Sequence, residues 1–386
     1  MLIEPDDATG VAATLARASR ERLSVEVRGG SSKRDWGVLS APTDITLSTL
    51  KLNAVMAHRH GDLTATVQAG ARLADVNRAL ARHGQWIPLD PPWPDRATIG
   101  GIVATNDSGP RRHRYGAPRD LIIGVDFVRA DGVAAKAGGI VVKNVAGYDV
   151  ARLLTGSFGS LAIIVSATFK LYPLAQASRT VVVELPSPEA VGPLAAALQG
   201  SQLTPTAIEL QVPPARMLVR FETIDVATNE QAAAVVGLAE NAGGHASIVQ
   251  GEAEAAIWDE HGRRPWNGNG AVAKITLLPT DVAPTLTWIA DASRGVESDL
   301  IGRAGVGVLL LRIGGDAATQ ARIINGLRAR IRPGRGSAVL VRGSDELKTI
   351  LDAWGPMGDG FALMRAVKQT FDPIGILNPG RGPGGL

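Results

Sequence analysis

The first 174 residues combine two periods of hydrophobic and polar positions. Apolar side chains recur at helical spacing after Asp6 and Asp7, which predicts a capped helix that ends at about Arg20. A second helix is predicted around Leu73 and ends at Gly84. Alternating or continuous apolar runs predict strands at 24–27, 45–47, 64–67, 121–129, 133–136 and 161–171.

The pattern changes after about Leu174. Short strands are predicted at 179–185, 207–211, 217–222, 246–250, 271–277, 306–312 and 338–341. Helices are predicted between them at 188–199, 229–241, 282–292 and 317–330. This order favours a separate α+β domain on an antiparallel sheet. We therefore expect a first domain at 1–174, with subdomains of about 1–60 and 61–174, a second domain at 175–341, and a C-terminal segment at 342–386.

Composition and charge narrow the classes of protein that this chain can be. Of its 386 residues, 45% are hydrophobic and 20% are charged, which is typical of a soluble globular protein. The absence of cysteine excludes a disulfide, a thiolate zinc site and a cysteine-ligated iron–sulfur cluster of its own. A net charge of +3 without an aromatic and basic platform argues against nucleic acid. No apolar run is long enough to span a membrane and the start lacks a secretory signal, so we expect a cytoplasmic location.

Two glycine-rich segments are candidates for binding a phosphate group. Residues 98–109 carry paired glycines and neutral donors with almost no bulk, which suits a pyrophosphate. A tight loop packed under a strand explains the same residues equally well. Residues 28–33 run from a strand into glycines, hydroxyls and Lys33, but they are not a Walker sequence because Lys33 follows the glycines too closely. An ordinary glycine turn is the alternative for this second segment.

The densest basic run in the chain lies at Arg111-Arg112-His113-Arg114-Tyr115-Gly116. One interpretation is a solvated loop, and the other is a face that binds a phosphate or an acidic partner. Among the histidines, His58 and His60 flank Arg59 on a predicted short loop, where surface groups are favoured over metal ligands. His261 lies in the most polar stretch of the second domain, beside Arg263 and Arg264. It is a candidate for substrate contact, and a solvated loop is the competing interpretation.

Taken in order, these motifs resemble the superfamily of vanillyl-alcohol oxidase and p-cresol methylhydroxylase (PCMH). The resemblance is carried by the strand and loop at 28–31, the segment at 98–101, Tyr115-Gly116, Gly147-Tyr148-Asp149, Gly156 to Ile163, and the closing Asn378-Pro379-Gly380. Within the superfamily the chain is most similar to the E-type FAD-binding subunits of glycolate oxidases. The similarity covers both ends of the chain strongly and the middle weakly.

The resemblance implies a PCMH-type FAD-binding fold of two α+β subdomains, with an α+β cap domain and a C-terminal segment that returns to the FAD-binding domain. FAD would lie extended between the subdomains. The positions implied to bind it are Arg28, Gly29, Gly30, Ser31, Ser32, Lys33, Pro91, Thr98, Ile99, Gly100, Gly101, Thr105, Asn106, Ser108, Gly109, Tyr115, Gly116, Gly156, Ser157, Gly159 and Ile163. Neutral donors and backbone amides would offset the phosphate charges.

The chain also departs from the superfamily pattern. Many relatives tether flavin covalently through a histidine in the first loop, where this chain has Ser31, Ser32 and Lys33, so non-covalent FAD is expected. Phe158 replaces a glutamate that is common in relatives. Related hydroxy-acid dehydrogenases carry paired histidines and a His-Glu cluster that bind a metal and take the hydroxyl proton. That cluster is not found here, so no metal is expected and the catalytic base stays unknown.

Three hypotheses for function follow from the resemblance. The first is a FAD-binding subunit of a multi-subunit glycolate dehydrogenase, whose partners would be a second flavin subunit and an iron–sulfur subunit. Such a complex would oxidise a small 2-hydroxy acid and would reach the inner membrane only indirectly, through those partners. The second is a self-sufficient FAD-dependent oxidoreductase that uses His261 or Tyr148 as its base. The third is a non-catalytic, flavin-bound structural subunit that docks on a neighbour through Arg111 to Arg119.

Overall fold

The computed structural model of the chain describes residues 1–38, 42–140 and 147–386. Its N-terminal part is a small parallel sheet with the strand order β1-β3-β2, packed against one helix. These elements are β1 (Leu2–Ile3), α1 (Ala8–Glu21), β2 (Val25–Arg28) and β3 (Ile45–Ser48). The Asp7 carboxylate caps α1 by accepting a hydrogen bond from the Gly10 amide at 2.8 Å. Because Leu15 and Val25 are fully buried in one cluster, helix and sheet share a core.

The next part is an antiparallel sheet, with the order β4-β5-β9-β7-β8 among the residues described. Its strands are β4 (Val55–Arg59), β5 (Thr64–Gln68), β7 (Ile122–Arg129), β8 (Ala134–Gly138) and β9 (Ala162–Lys170). A separate strand pair joins β6 (Gln85–Trp86) to β10 (Tyr172–Pro173). The helices are α2 (Leu73–Leu80), α3 (Ile99–Thr105), α4 (Arg112–Tyr115), α5 (Pro118–Leu121) and α6 (Val150–Leu154). We call residues 1–174 the N-terminal region. Residues 141–146, which precede the Gly147-Tyr148-Asp149 motif, lie outside the described residues.

Residues from 175 onward build a large antiparallel sheet with the order β14-β11-β13-β12-β16-β17-β15-β18. Its strands are β11 (Ala177–Glu184), β12 (Ala207–Val212), β13 (Arg216–Thr223), β14 (His245–Val249), β15 (Ala271–Thr276), β16 (Ser298–Arg303), β17 (Val308–Ile313) and β18 (Ser337–Arg342). The helices are α7 (Val191–Gly200), α8 (Asp225–Asn241), α9 (Gly251–Arg263), α10 (Val282–Ala292), α11 (Ala317–Arg330), α12 (Asp345–Ile350) and α13 (Phe361–Phe371). The α+β prediction is therefore confirmed. Of the helices described, none is long and apolar enough to cross a membrane.

The large sheet has two different faces because successive side chains of a strand point to opposite sides. On β15, Ala273 and Ile275 enter an apolar core that includes side chains of α7, α8, α10 and α11. Val272 instead packs with Trp36 of the N-terminal region. This second face also bears the ionisable and amide side chains of Glu209, Gln211, Arg220, Glu222, Lys274, Arg303 and Arg312. Charged side chains of the large sheet therefore border the N-terminal region or the helix that covers part of this face.

The sequence patterns did not predict one strand of the large sheet, β16, or the helix α9 that packs on it. Strand β16 contains Asp299 and Gly302, residues that are depleted in strands, and it is held by pairing with β12 on one side and β17 on the other. Helix α9 is rich in charged residues, and it covers the second face of the large sheet through polar contacts. Trp258, for example, donates a hydrogen bond to the Thr180 hydroxyl at 2.8 Å. Both elements depend on neighbours that are distant in sequence.

Candidate cofactor site

A slot of about 780 Å³, part of it open to solvent, separates the loop after β2 from α3 and β9. From the sequence-predicted set, the slot is lined by Arg28, Gly29, Gly30, Ser31, Ser32, Lys33, Thr98, Gly100, Gly101, Thr105, Gly159 and Ile163. Both glycine-rich segments thus border one opening. The residues between the two segments form β3, β4, β5 and α2, among other elements.

The glycines at 29 and 30 are required by close packing of two loops. A Cβ atom on Gly30 would lie 1.7 Å from the Arg96 carbonyl oxygen, and one on Gly29 would lie 2.2 Å from the Thr98 hydroxyl. From the sequence, these glycines indicated either a phosphate-binding loop or an ordinary turn. The structure adds a steric reason, because no larger residue fits where the loop after β2 crosses residues 96–98.

The segment at 98–109 begins as the short helix α3 (Ile99–Thr105), and not as the tight loop that the sequence left open as an alternative. Its apolar residues Ile99 and Ile102 are fully buried in the core of the N-terminal region. Gly100 packs on Ala69, where a Cβ atom would approach that side chain to 2.9 Å. Gly101 is less confined, because a Cβ atom there would meet only the Thr98 hydroxyl, at 3.3 Å. Gly101 is therefore the glycine of this helix that leaves open space toward the slot.

Charged side chains at one end of the slot carry a net positive charge. Glu26 is contacted by three arginine side chains: Arg28 at 2.6 Å, Arg34 at 3.5 Å and Arg381 at 3.7 Å. Burial raises the pKa of the Glu26 carboxyl, but the Arg28 hydrogen bond and the arginine charges outweigh burial and hold this pKa below its usual value. Lys33 pairs with Asp107 at 3.2 Å.

These charges match a diphosphate. Four cations (Arg28, Lys33, Arg34 and Arg381) face two carboxylates (Glu26 and Asp107), so 4 − 2 leaves a net charge of +2. A diphosphate diester carries about two negative charges, which backbone amides and guanidinium groups hold well. The slot therefore has room and positive charge for the pyrophosphate of a dinucleotide.

The C-terminal segment closes the slot with Asn378 and Arg381, two side chains that were not among the predicted site residues. The Asn378 side chain accepts a hydrogen bond from the Val27 amide at 2.9 Å and donates one to the Phe158 carbonyl at 2.7 Å. Arg381 donates to the carbonyls of Lys33 and Arg34, both at 2.9 Å. Burial lowers the pKa of the Arg381 guanidinium, and Glu26 opposes that shift. The Asn378-Pro379-Gly380 turn belongs to the motifs that carry the resemblance. Only the fold shows that the Asn378 side chain lies at the slot.

Other lining residues were also missed by sequence reasoning. Beyond the C-terminal pair they are Glu26, Val27, Arg34, Thr49, Ala69, Ala104, Phe158, Ala162 and Ile164. Most are apolar or small residues whose exposure to the slot follows from strand direction. Phe158 has a left-handed backbone (φ 54°), and its ring packs edge-on against Trp354 at 5.0 Å. The aromatic ring thus builds an apolar part of the slot wall.

Several predicted residues lie outside the slot lining, namely Pro91, Ile99, Asn106, Ser108, Gly109, Tyr115, Gly116, Gly156 and Ser157. Ile99 is buried in the core, and Tyr115 packs against the rings of Trp86 and Tyr172. The Asn106 Oδ1 and Ser157 Oγ atoms are buried without a hydrogen-bond partner among the residues described. Unpaired buried acceptors and hydroxyls are costly, so these two atoms are suited to a polar ligand.

Two polar contacts connect the N-terminal region to the large sheet. The Arg303 guanidinium donates to the Ser108 carbonyl at 2.8 Å and to the Gly109 carbonyl at 3.2 Å. Arg111 forms a paired contact with the Glu222 carboxylate, at 2.7 and 3.1 Å. The predicted basic run therefore begins in the boundary between the two regions, and only Arg114 of that run is exposed. Its acidic partner is a residue of the same chain.

The structure does not support His261 or Tyr148 as a group that contacts substrate, and it places His58 on a strand. His261 is fully buried, at 2.8 Å from the Glu209 carboxylate and 3.0 Å from the Gln211 amide, so it has no surface with which to touch a substrate. Tyr148 is 94% exposed, outside any enclosed site. His58 lies on β4 and not on a loop, and its ring packs beside His60 and His83. Within the described ranges, no three His, Cys, Asp or Glu side chains are arranged to hold a metal ion.

Two family matches agree with this geometry. Residues 1–138 match the FAD binding domain, and residues 349–381 match the C-terminal domain of FAD linked oxidases. Both matched stretches contribute to the lining of the slot, and the rest of the lining comes from residues 158–164. The chain is an FAD-linked oxidoreductase with a PCMH-type FAD-binding fold, and its cofactor is FAD.

Individual relatives are distant but extend over most of the chain. The chain is 25% identical to glycolate oxidase subunit GlcD of Bacillus subtilis over 415 residues, which covers 98% of this chain and 88% of the relative. It is 27% identical to a D-2-hydroxyglutarate dehydrogenase of Xanthomonas citri, with the same coverage. Glycolate oxidase subunit GlcE of Escherichia coli is 32% identical over 196 residues, or 50% of this chain and 55% of the relative. The likeness to glycolate oxidase subunits is thus supported, while the narrower assignment to the E type is not confirmed.

Solved structures agree on the fold. An alkyldihydroxyacetonephosphate synthase superposes with a TM-score of 0.75 at 16% identity and covers 98% of this chain and 75% of its own. A chitooligosaccharide oxidase superposes with a TM-score of 0.72 at 13% identity, covering 99% and 90%. At these identities the likeness concerns the architecture alone.

Proposed function

We propose that this chain is the FAD-binding subunit of a multi-subunit dehydrogenase that oxidises glycolate to glyoxylate. Electrons would pass through flavin to a partner iron–sulfur subunit, since the chain has no cysteine to hold a cluster itself. A second flavin subunit would complete the assembly. In this proposal the FAD is non-covalent, the chain is cytoplasmic, and it meets the membrane only through its partners.

The observation that carries the proposal is the slot of net charge +2, closed by Asn378 and Arg381. It provides cationic side chains and backbone amides for the pyrophosphate of FAD, and the sequence of the loop after β2 has no histidine to tether the ring. FAD would supply a two-electron acceptor, and this chain's residues would hold and orient it. The assembly is supported by relatives that are named as subunits of glycolate oxidase.

A self-sufficient dehydrogenase of another hydroxy acid is the second candidate. It is favoured by the relative named as a D-2-hydroxyglutarate dehydrogenase, which aligns with 98% of the chain. In this case His261 is not the base, because it is fully buried between Glu209 and Gln211. A base would have to come from another residue near the boundary between the regions.

Co-purification of the chain from its native host tests these proposals. We expect a stable complex with flavin on this chain, and bleaching of that flavin when glycolate is added without oxygen. The second candidate would be favoured if the flavin of the isolated chain were reduced by D-2-hydroxyglutarate or D-lactate and not by glycolate. A colourless protein that takes up no FAD would overturn both.

The variant Gly101→Leu tests whether the flavin on this chain takes part in catalysis or has only a structural role. Gly101 borders the slot and leaves open space there, so the substitution should prevent FAD uptake while the fold is kept. We expect the complex to lose its glycolate activity. Unchanged activity in a complex that contains flavin-free Gly101→Leu would instead support a non-catalytic structural subunit.

A further inference from the structure

Lys274 lies within electrostatic reach of three other cationic side chains, one of which lines the slot, and we call these four side chains the boundary cations. They are Lys33, Arg112, Lys274 and Arg303. Two are neutralised, because Lys33 lies 3.2 Å from Asp107 and Arg303 lies 3.7 Å from Glu209. In the described parts of the chain, no carboxylate lies within ion-pair distance of Lys274 or Arg112. Arg112, and Lys274 whenever it is protonated, therefore offer positive charge to an anion from outside.

Lys274 points toward the N-terminal region. It alternates on β15 with Val272, which packs against Trp36, while the intervening Ala273 enters the opposite core. In the register of the sheet, Lys274 lies opposite Leu310 of β17, another residue that packs with Trp36. The amine is half-buried and makes no hydrogen bond to a described residue. A partly dehydrated amine without a partner is thus directed at the boundary beside the slot.

The surroundings of Lys274 favour its neutral form. Burial lowers the pKa of this amine to about 8. The Asp107 carboxylate opposes that shift, and three neighbouring cations add to it, namely Arg303, Arg112 and Lys33. A base is most effective when its pKa lies near the working pH. Geometry and charge therefore agree on a group that can take up a proton.

Arg112 and Arg303 differ from Lys274 because their guanidinium groups stay protonated at physiological pH. Arg303 is held in place by the carbonyls of Ser108 and Gly109. Among the residues described, Arg112 makes one weak side-chain contact, with the Ser108 hydroxyl at 3.5 Å, which leaves most of its N–H groups without a partner there. A guanidinium stays protonated at any physiological pH and suits a carboxylate. Arg112 can therefore hold an acid group while the lysine amine titrates.

We propose that Lys274 is the general base for a 2-hydroxy acid whose carboxylate is held by Arg112. The inference rests on the proposed function, because it needs the flavin as oxidant. The O–H bond of the substrate breaks, and its proton moves to the neutral Nζ of Lys274, which becomes an ammonium group. The Cα–H bond breaks at the same time, and its two electrons leave with the hydrogen as a hydride for the flavin. The carbon–oxygen bond becomes a carbonyl, so the product is the 2-oxo acid.

Flavin reduction in FAD-loaded, full-length protein tests this role. The matched variants are Lys274→Arg, which keeps the charge but cannot accept a proton, and Lys274→Ala, which removes both. We expect each to lower the rate of anaerobic flavin bleaching by about 100-fold or more, as general-base loss does. The control is Lys136→Met, an exposed lysine paired with Asp126, and it should leave the rate unchanged.

Rescue and pH dependence distinguish a base from a merely structural lysine. Added ethylamine should restore part of the rate in Lys274→Ala, because a free amine can enter the space and take the proton. The wild-type rate should rise between pH 7 and pH 9, and this rise should be absent in Lys274→Arg.

Binding of oxalate to the FAD-loaded protein, followed by flavin absorbance, tests the role of Arg112. The affinity should change less than about 3-fold in Lys274→Arg and should weaken more than about 10-fold in Arg112→Met.

A readout without turnover is available from NMR. Reductive methylation with ¹³C-formaldehyde labels every lysine, and the resonance absent from Lys274→Arg should titrate near pH 8. Titration of that resonance above pH 10 would overturn the inference.

The outcomes separate this inference from the proposed function. Wild-type protein that takes up no FAD would overturn the function as well as the role of Lys274. FAD uptake with reduction as fast in Lys274→Arg as in wild type would overturn the role of Lys274 alone. FAD uptake without reduction by glycolate, D-lactate or D-2-hydroxyglutarate would also overturn that role, and would leave FAD binding in place.

Discussion

The Lys33 amine lies 3.2 Å from the Asp107 carboxylate, and both side chains are almost fully buried. The two residues come from the two glycine-rich segments, which are separated in the chain by β3, β4, β5 and α2. Their ion pair joins the loop after β2 to the end of the α3 segment. The walls of the slot are therefore connected by a buried charge contact as well as by the close packing of Gly30 on Arg96.

Removing one partner of this pair should destabilise the protein. Asp107→Leu leaves the buried Lys33 ammonium uncompensated, which costs about 3–5 kcal/mol of unfolding free energy. Urea denaturation of the FAD-free protein measures the loss. The control is Lys136→Met, which breaks an exposed pair and should cost less than about 1 kcal/mol.

The double variant Lys33→Met with Asp107→Leu refines this prediction. It should recover most of the lost stability, because the attraction in a buried pair barely exceeds the cost of dehydrating both charges. The lysine lines the slot, so FAD affinity should stay reduced. Full recovery of FAD affinity in the stable double variant would contradict a role of Lys33 at the cofactor.

Arg381 should be needed for FAD binding more than for folding. Its guanidinium holds the carbonyls of Lys33 and Arg34 and adds positive charge beside Glu26. We expect Arg381→Met to weaken FAD binding by about 10- to 100-fold, the range of one or two hydrogen bonds to a charged group. Quenching of flavin fluorescence on titration gives the dissociation constant.

A suitable control for this variant is Arg365→Met. Arg365 is exposed on α13, and its guanidinium lies over the Phe361 ring at 5.0 Å. Equal losses of affinity in both variants would show that general charge, and not the position of Arg381, controls binding.

Gly30→Ala should prevent the two loops from packing. Its Cβ atom would lie 1.7 Å from the Arg96 carbonyl oxygen, a distance that only a shift of the backbone can relieve. We expect loss of FAD uptake together with a lower melting temperature. Gly61→Ala is the matched control, since a Cβ atom there meets nothing within 4 Å, and it should behave like the wild type. Normal FAD uptake by Gly30→Ala would contradict the packing seen here.

Asp90 should make stability depend on pH. Burial raises the pKa of its carboxyl to about 6, although the Arg111 charge and amide oppose the shift, and one carboxylate oxygen has no hydrogen-bond partner among the described residues. The unfolded chain gives up this proton near pH 4, whereas the folded protein keeps it up to about pH 6. Folding is therefore favoured at low pH, and the contribution of Asp90 to stability falls as pH rises from about 4 to about 6.

The variant Asp90→Asn tests the sign of that effect. Its amide oxygen can still accept the hydrogen bond from the Arg111 amide, which is 2.9 Å long in the wild type. We expect the variant to be more stable than the wild type by about 1–3 kcal/mol at pH 8 and about equal to it at pH 4, at 1.36 kcal/mol per pKa unit. Thermal melts at both pH values measure this difference, and a variant less stable at pH 8 would contradict the sign.

Local patterns were enough for many elements of the fold. The capped helix after Asp7 was expected to end at about Arg20, and α1 ends at Glu21. The strand expected at 207–211 is β12 (Ala207–Val212). Such elements are specified by neighbours in sequence, through capping residues and the spacing of apolar positions. Strand β16 and helix α9 were missed because their stability comes from partners far along the chain.

The candidate site shows the same division. The order of the motifs pointed to FAD through their resemblance to a known superfamily, and the fold brings both glycine-rich segments to one slot. The burial of His261 could not be read from its polar neighbours, because β12 supplies the partners Glu209 and Gln211 from about 50 residues away. Nor could the placement of Arg381 beside Lys33, 348 residues earlier, be read in this way. Local composition specifies which groups can bind a phosphate, whereas the charge balance of the slot and the pairing of Lys33 with Asp107 depend on distant segments that meet only when the chain has folded.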